Sequence, residues 1–229
     1  MKIFTFGLTR LPATRTLATL LSPPTSVTVP GLVHAECMTA MRLGSGMLSP
    51  ERLQLRKLSM FAAWESEEAI ESFLSSTELG HAIASGWHLR MSFLRRWGSV
   101  AEFASLPEET GENDPLAPVA AYTLARMRLP EVPRFIRWGR PVEQLVRDDP
   151  ESTFGIASIK FPRSVSTFSI WNSQQAMTDM VHGRSRADRP ERHPDAMQER
   201  DRRDFHREFT TLRFRPLSEH GTWEGRTRT

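Results

Sequence analysis

Apolar positions along the first hundred residues switch between strand and helix periods. Residues 2–11 alternate apolar with small polar side chains around Ile3, Phe4, Phe6 and Leu8, which predicts a strand. A segment carrying Leu17, Leu20 and Leu21 follows and is broken by Ser22-Pro23-Pro24. Residues 32–43, with Ala35, Met38, Ala40 and Met41, carry a helical pattern, and Gly44-Ser45-Gly46 predicts a turn. A strand over 53–64 leads into a helix over 66–84 that keeps Ala69, Ile70, Phe73 and Leu74 on one face. Trp87, Leu89, Met91 and Phe93 then mark a closing strand over 87–97. The order is β, α, β, β, α, β.

Residues 107–118, rich in acids, Gly and Pro, predict a linker, and beyond it the order repeats. Strands are expected over 119–129, 153–160, 165–171 and 208–216, and helices over 132–147, 173–182 and 194–207. One ten-residue stretch is written twice. Phe61, Trp64, Ser66 and Ala69 match Phe168, Trp171, Ser173 and Ala176 at a single offset. In each copy an apolar run ends at Trp, and a Ser followed by acidic or amide residues opens an amphipathic helix. A serine oxygen there accepts from a free helical N–H, and first-turn acids suit the helix dipole. Self-similarity of this kind makes the chain two related halves, 1–106 and 119–229.

Two successive βαββαβ units are the ferredoxin-like arrangement, in which each sheet leaves one face open. The two open faces are expected to close on each other as an intramolecular dimeric α+β barrel, a fold of α+β class. The halves differ over 183–204, a charged stretch without an equal in the first half, and such additions often carry function.

Composition narrows the partners. With 229 residues and 39% hydrophobic content the chain can bury a substantial core. No apolar window is long enough to span a membrane, and the N-terminus lacks a signal pattern, so a cytoplasmic protein is expected. A lone Cys37 fits a reducing compartment. The pI near 9.6 accompanies a formal net charge of only +3. The Arg-rich run over 184–208 is interleaved with acids, so a nucleic-acid partner is not expected. A self-satisfied barrel leaves monomer and homodimer both open.

Nucleophile-elbow, phosphate-loop, dinucleotide-binding and zinc-protease motifs are absent from the sequence. Seven histidines remain, and none of their spacings is that of a structural zinc site. Haem needs only one protein ligand, and His suits it. His193 has the best position, immediately before Pro194, where a ring could project from a helix N-terminus; His182, before Gly183, is second. Solvated surface histidines are the plain alternative for both. Trp64, Trp171, Phe61 and Phe168 read as core residues first and cofactor contacts second.

The run Phe209-Thr-Thr-Leu-Arg-Phe-Arg-Pro-Leu-Ser-Glu-His-Gly-Thr-Trp-Glu-Gly225 resembles the end of the spheroidene monooxygenase family. Leu43-Gly44-Ser45-Gly46, the Phe168-Ser-Ile-Trp171 corner with Ala176-Met177, and His193 followed by Ala196-Met197 are similar to the same family. The resemblance implies a haem b oxygenase acting on an apolar or small metabolite with dioxygen or peroxide. It also implies kinship with haem-bearing barrels that act as peroxidases, chlorite-degrading enzymes and aldoxime dehydratases. Carried onto this chain, it makes His193 the iron ligand with His182 as alternative, and Trp171 and Phe168 cofactor contacts. Arg203, Arg207 and Arg215 become candidates for propionate binding or for the catalytic face. A cofactor-free enzyme and a ligand-binding module on the same scaffold are the rival expectations.

Overall fold

The structure is a computed structural model that describes residues 2–46, 49, 54–111 and 113–228. The first half runs β1 (Ile3–Arg10), α1 (Ala13–Leu21), β2 (Leu32–Met41), β3 (Lys57–Trp64), α2 (Glu67–Ser76), α3 (Glu78–Ala84) and β4 (Trp87–Ser99). The second runs β5 (Val119–Met127), α4 (Val132–Asp148), β6 (Ser152–Lys160), β7 (Ser164–Trp171), α5 (Gln174–Val181), α6 (Arg192–Arg202) and β8 (His206–Gly221). The strands close one antiparallel barrel in the order β1-β3-β2-β6-β7-β5-β8-β4, with the helices outside. Each half contributes a sheet of four strands in the same order, and the halves join where β2 meets β6 and where β4 meets β8. The α+β barrel expected from the repeated order is therefore present.

Register makes the duplication explicit. Phe6 pairs with Phe61 across β1 and β3, and Tyr122 pairs with Phe168 across β5 and β7. Phe6 and Tyr122 are thus equivalent, as are Phe61 and Phe168. Inside the barrel the equivalents stack crosswise. Phe6 lies on Phe168 with centroids 3.9 Å apart and planes at 7°, and Phe61 lies on Tyr122 at 3.9 Å and 9°. Both seams are centred on equivalent residues, Thr39 opposite Ile159 and Ser92 opposite Arg215. The two serines that open the repeated helices act alike: Ala69 N–H donates to Ser66 Oγ at 3.3 Å, and Ala176 N–H donates to Ser173 Oγ at 3.1 Å.

The barrel is solid. Its interior is one cluster of buried apolar residues in which Phe4, Phe6, Phe61, Phe168 and Phe214 meet. Phe103 plugs the end near His34, and Trp223, under Lys57 and Arg10, plugs the other. The connection from β4 to β5 is not a free linker. Arg96 N–H donates to Glu108 O at 2.8 Å and Thr110 N–H to Leu94 O at 2.9 Å, which lays it along β4.

Several sequence expectations change. Residues 32–41 are a strand, not a helix. Cys37 packs under the outer helices while Met38 and Ala40 face the barrel, so both faces are apolar and the alternation that marks a half-exposed strand is lost. The helix expected over 66–84 is two, because Thr77 caps a new start by accepting from Gly80 N–H at 2.9 Å. The last helix ends at Arg202 rather than 207, and β8 begins at His206. The strand expected from residue 53 begins at Lys57, and 50–53 lie outside the described residues. In chain order α6 stands between β7 and β8 as α3 stands between β3 and β4, but α3 packs on β1 and β4 whereas α6, in the added stretch 183–204, packs on α4 and α5.

Truncating either interior stack should be severe. Phe168→Ala is expected to cost about 3–5 kcal/mol by cavity formation, whereas Ser173→Ala should cost about 1 kcal/mol by loss of a cap. Urea unfolding of the two variants against the parent checks the contrast.

Candidate functional site

With the barrel filled, chemistry has to lie at its mouths or on its outer faces. At the Phe103 end, Arg126 is ringed by carboxylates, Glu36 at 3.1 Å and Glu102 and Glu208 at 2.7 Å. His34 Nε2 lies 3.1 Å from Glu36 Oε1, and His34, Glu36 and Glu102 offer ligand atoms within 4.8 Å of one another. The Arg126 guanidinium already supplies the positive charge there and holds Glu102 below the usual carboxylate range, so a metal would have to displace it. Beside Trp223 at the opposite end, a cleft of about 790 Å³ is lined by residues such as Met41, Leu43, Phe154 and Arg228. Leu43, Trp223 and Glu224 of the sequence motifs reach it, but none of the candidate iron, propionate or catalytic residues lines it.

The outer sheet faces of the two halves are unequal. In the first half, Gly7, Met60 and His88 are buried beneath α2 and α3. A side chain at Gly7 would meet Ile83 Cγ2 at 2.9 Å, so that face is packed shut. Their register equivalents in the second half are Thr123, Thr167 and Thr211. All three are half-buried, so solvent reaches the sheet between the helices. Thr123 Oγ1 and Thr211 Oγ1 share a hydrogen bond at 3.1 Å. Arg213 lies beside them, only 9% exposed, with its guanidinium over the Trp97 ring at 4.4 Å. Its Nη1 donates to Thr178 Oγ1 of α5 at 3.3 Å, and its Nε has no partner among the described residues. Burial, with the Arg95 cation beside it, pulls Arg213 down to about 10, so it stays charged at neutral pH.

Helix α6 packs against α4 and α5 and is held by ion pairs to α4. Arg134 Nε donates to Glu199 Oε1 at 2.8 Å, and Arg203 pairs with Glu131. Arg202 and Arg134 together hold Glu199 down to about 2. At the start of α6, the His193 ring is pushed down to about 4 by burial, which a backbone hydrogen bond at Val181 only partly offsets. It is therefore neutral, and its Nδ1 is buried with no partner among the described residues. Val181 and Thr178 are three residues apart on α5, so His193 and Arg213 meet that helix one turn apart.

The remaining sequence candidates scatter. His182 caps the end of α5 and is exposed. Trp171 is locked beneath α5 with Nε1 donating to Ser169 Oγ at 2.9 Å. Phe168 faces the barrel interior, the wrong side of the sheet for a cofactor under α6, because strand residues alternate faces. Arg203 is tied to Glu131, Arg207 is exposed, and Arg215 sits at the seam opposite Ser92. The Leu43 to Gly46 turn is structural: Gly44 adopts φ +73° and its N–H donates to Glu143 Oε2 at 2.8 Å. The arginine that is buried and lacks an acid is Arg213, which sequence reasoning missed.

A haem would need a neutral imidazole and a cation for its carboxylates; His193 and Arg213 are of those kinds, and because the unpartnered His193 Nδ1 has no exposed surface, an iron would reach it only on opening of the α5–α6 contact.

No protein-family model and no curated protein matches this chain. Solved structures that resemble it include a candidate monooxygenase of Fusobacterium nucleatum, 8% identical, covering 96% of this chain and 94% of that one at a TM-score of 0.42. Another is a ferredoxin-fold protein of Listeria monocytogenes related to antibiotic biosynthesis monooxygenases, 10% identical, covering 95% and 97% at 0.33. A third is a heme-degrading enzyme of Listeria monocytogenes, 12% identical, covering 94% and 100% at 0.30. Identities this low with TM-scores below 0.5 assign this chain neither activity nor ligand.

His193 also makes stability depend on pH. Its folded value of about 4 lies below the ordinary 6.5, so the unfolded chain binds more protons between them. The contribution is present above pH 6.5 and is lost as pH falls towards 4. His193→Gln should remove about one proton from the slope of unfolding free energy in that window, measured by urea unfolding at stepped pH.

Proposed function

We propose that the chain is a haem-dependent oxidoreductase of monooxygenase type, acting on a small or apolar metabolite in the groove between α5, α6 and the outer sheet face of the second half. The observation that carries this reading is His193: a neutral imidazole, its Nδ1 buried and unpartnered, one helical turn from an unpaired buried cation. Resemblance of the C-terminal run and the His193 region to spheroidene monooxygenases supports it.

Bound haem would supply the redox chemistry, and the residues of the chain would place it and its substrate. His193 would hold the iron, its ring lying against the Val181 backbone of α5. The clamp of α6 on α4 through Arg134, Glu199, Arg203 and Glu131 keeps that ring in place. Arg213 provides a fixed positive charge, and the Thr123 and Thr211 hydroxyls offer a polar contact at the sheet face. Trp97 and Ala121 furnish the apolar wall. A cofactor-free enzyme in the same groove would use Arg213 and the threonines and have no need of His193.

Titration of the purified protein with haemin, followed by absorption, tests the proposal. A shifted Soret band saturating near one haem per chain is expected, with affinity at least about tenfold weaker in His193→Ala, since losing even a group that only orients a metal ligand costs about 10–100-fold. Absence of a Soret shift in the parent protein removes haem, and catalysis by a colourless protein selects the cofactor-free alternative.

A further inference from the structure

The two halves provide an internal control for Arg213. Arg90 pairs with Thr5 across β4 and β1, and Arg213 pairs with Ala121 across β8 and β5. Thr5 and Ala121 each precede the equivalent pair Phe6 and Tyr122, so Arg90 and Arg213 occupy the same position of the repeat. In the first half Arg90 is buried and its Nη2 donates to Glu71 Oε1 of α2 at 2.5 Å. The bond holds Glu71 below the usual carboxylate range. Glu71 and Thr178 stand at the offset that relates Trp64 to Trp171, so α5 presents Thr178 where α2 presents the acid. The cation has been kept and its counter-charge has been lost.

The surroundings changed with it. Around Arg90 the stacked rings of His88 and His220, 4.7 Å apart, fill the space. The register equivalents of those histidines are Thr211 and Trp97. Thr211 is smaller and half-exposed, and Trp97 lies flat against both guanidiniums, Arg95 at 4.2 Å and Arg213 at 4.4 Å. Arg95 reinforces the positive field, and its own acid, Glu109, is 4.0 Å away on an exposed edge. A buried guanidinium without an acid is costly unless a counter-charge arrives from outside, and its planar fork matches a carboxylate.

The geometry points to Arg213 as the anchor for a carboxylate carried by an otherwise apolar small molecule, seated where Glu71 sits in the first half, with Thr178 and Thr211 as hydroxyl contacts. This deepens the proposed function by naming the ligand class of that groove, and it rests on the groove being the site but not on haem. The carboxylate belongs either to the substrate or to a porphyrin propionate.

Calorimetric titration of haem-free protein with 2-naphthoate and with 2-naphthamide tests it, repeated with haemin and haemin dimethyl ester by absorption. At least one acid is expected to bind ten or more times more tightly than its neutral counterpart. Preference for naphthoate assigns the seat to a substrate acid, and preference confined to haemin assigns it to a propionate. Thr178→Glu rebuilds the internal pair, so it should raise the unfolding temperature and weaken acid binding at least tenfold, as should Arg213→Gln. Equal binding of acid and neutral forms in both series, or acid affinity unchanged in Thr178→Glu, overturns the assignment. A protein that shows no Soret shift yet selects naphthoate loses the haem reading and keeps this one.

Discussion

Two crossed aromatic stacks hold the molecule together. Each half builds a four-stranded sheet with helices on one face only, and the other face, carrying Phe6 and Phe61 or Tyr122 and Phe168, has to be removed from water. Stacking Phe6 on Phe168 and Phe61 on Tyr122 buries both faces at once and fixes their relative orientation, because offset rings at 3.9 Å tolerate little sliding. The seams between β2 and β6, short and over 39–41 and 157–159, and between β4 and β8, long, then close the barrel. The arrangement fixes where chemistry can occur. A barrel whose interior is packed with phenylalanines, and whose ends are plugged by Phe103 and Trp223, offers no internal chamber. What remains is the mouths, one of which carries the cleft beside Trp223, and the outer face of each sheet, where the two copies have diverged.

The first copy is the closed one. Met60 and His88 fill it, and Glu71 supplies the counter-charge of Arg90. The second copy keeps the strand and helix frame but exchanges bulk for hydroxyl groups at Thr123, Thr167 and Thr211, and an acid for Thr178. It also enlarges the connection that carries α6, whose ion pairs to α4 bring His193 against α5. Arg213 thus keeps a position that carries an ion pair in the other half, and His193 comes from the enlarged connection.

Much of the frame was legible in the sequence because Phe61-Ala-Ala-Trp64 and Phe168-Ser-Ile-Trp171 repeat with their capping serines, and caps and apolar corners are local signals. Strand β2 was misread because a strand apolar on both faces has no period-two signature, and the break at Thr77 was missed because a cap inside a helical pattern looks like any other hydroxyl. His193 was found through Pro194, although its state depends on burial under α5, which no local pattern contains. Phe168 is the core residue its apolar run predicts, and the cofactor contact implied by the resemblance fails because its face depends on register. Arg213 escaped for a related reason. The loss of the acid at Thr178 follows the repeat offset, but the arginines are related by a different one, since the second half has more residues between β7 and β8, and only strand pairing shows that Arg90 and Arg213 coincide.

The seam centred on Ser92 and Arg215 has an evolutionary corollary. In an assembly of two identical chains, whatever residue sits on the two-fold axis must face its own copy, so an arginine there would confront an arginine. Here it faces a serine, a combination that two identical chains could not make. Covalent fusion released the axis from self-complementarity, and with it every other pair of matched positions became free to specialise separately.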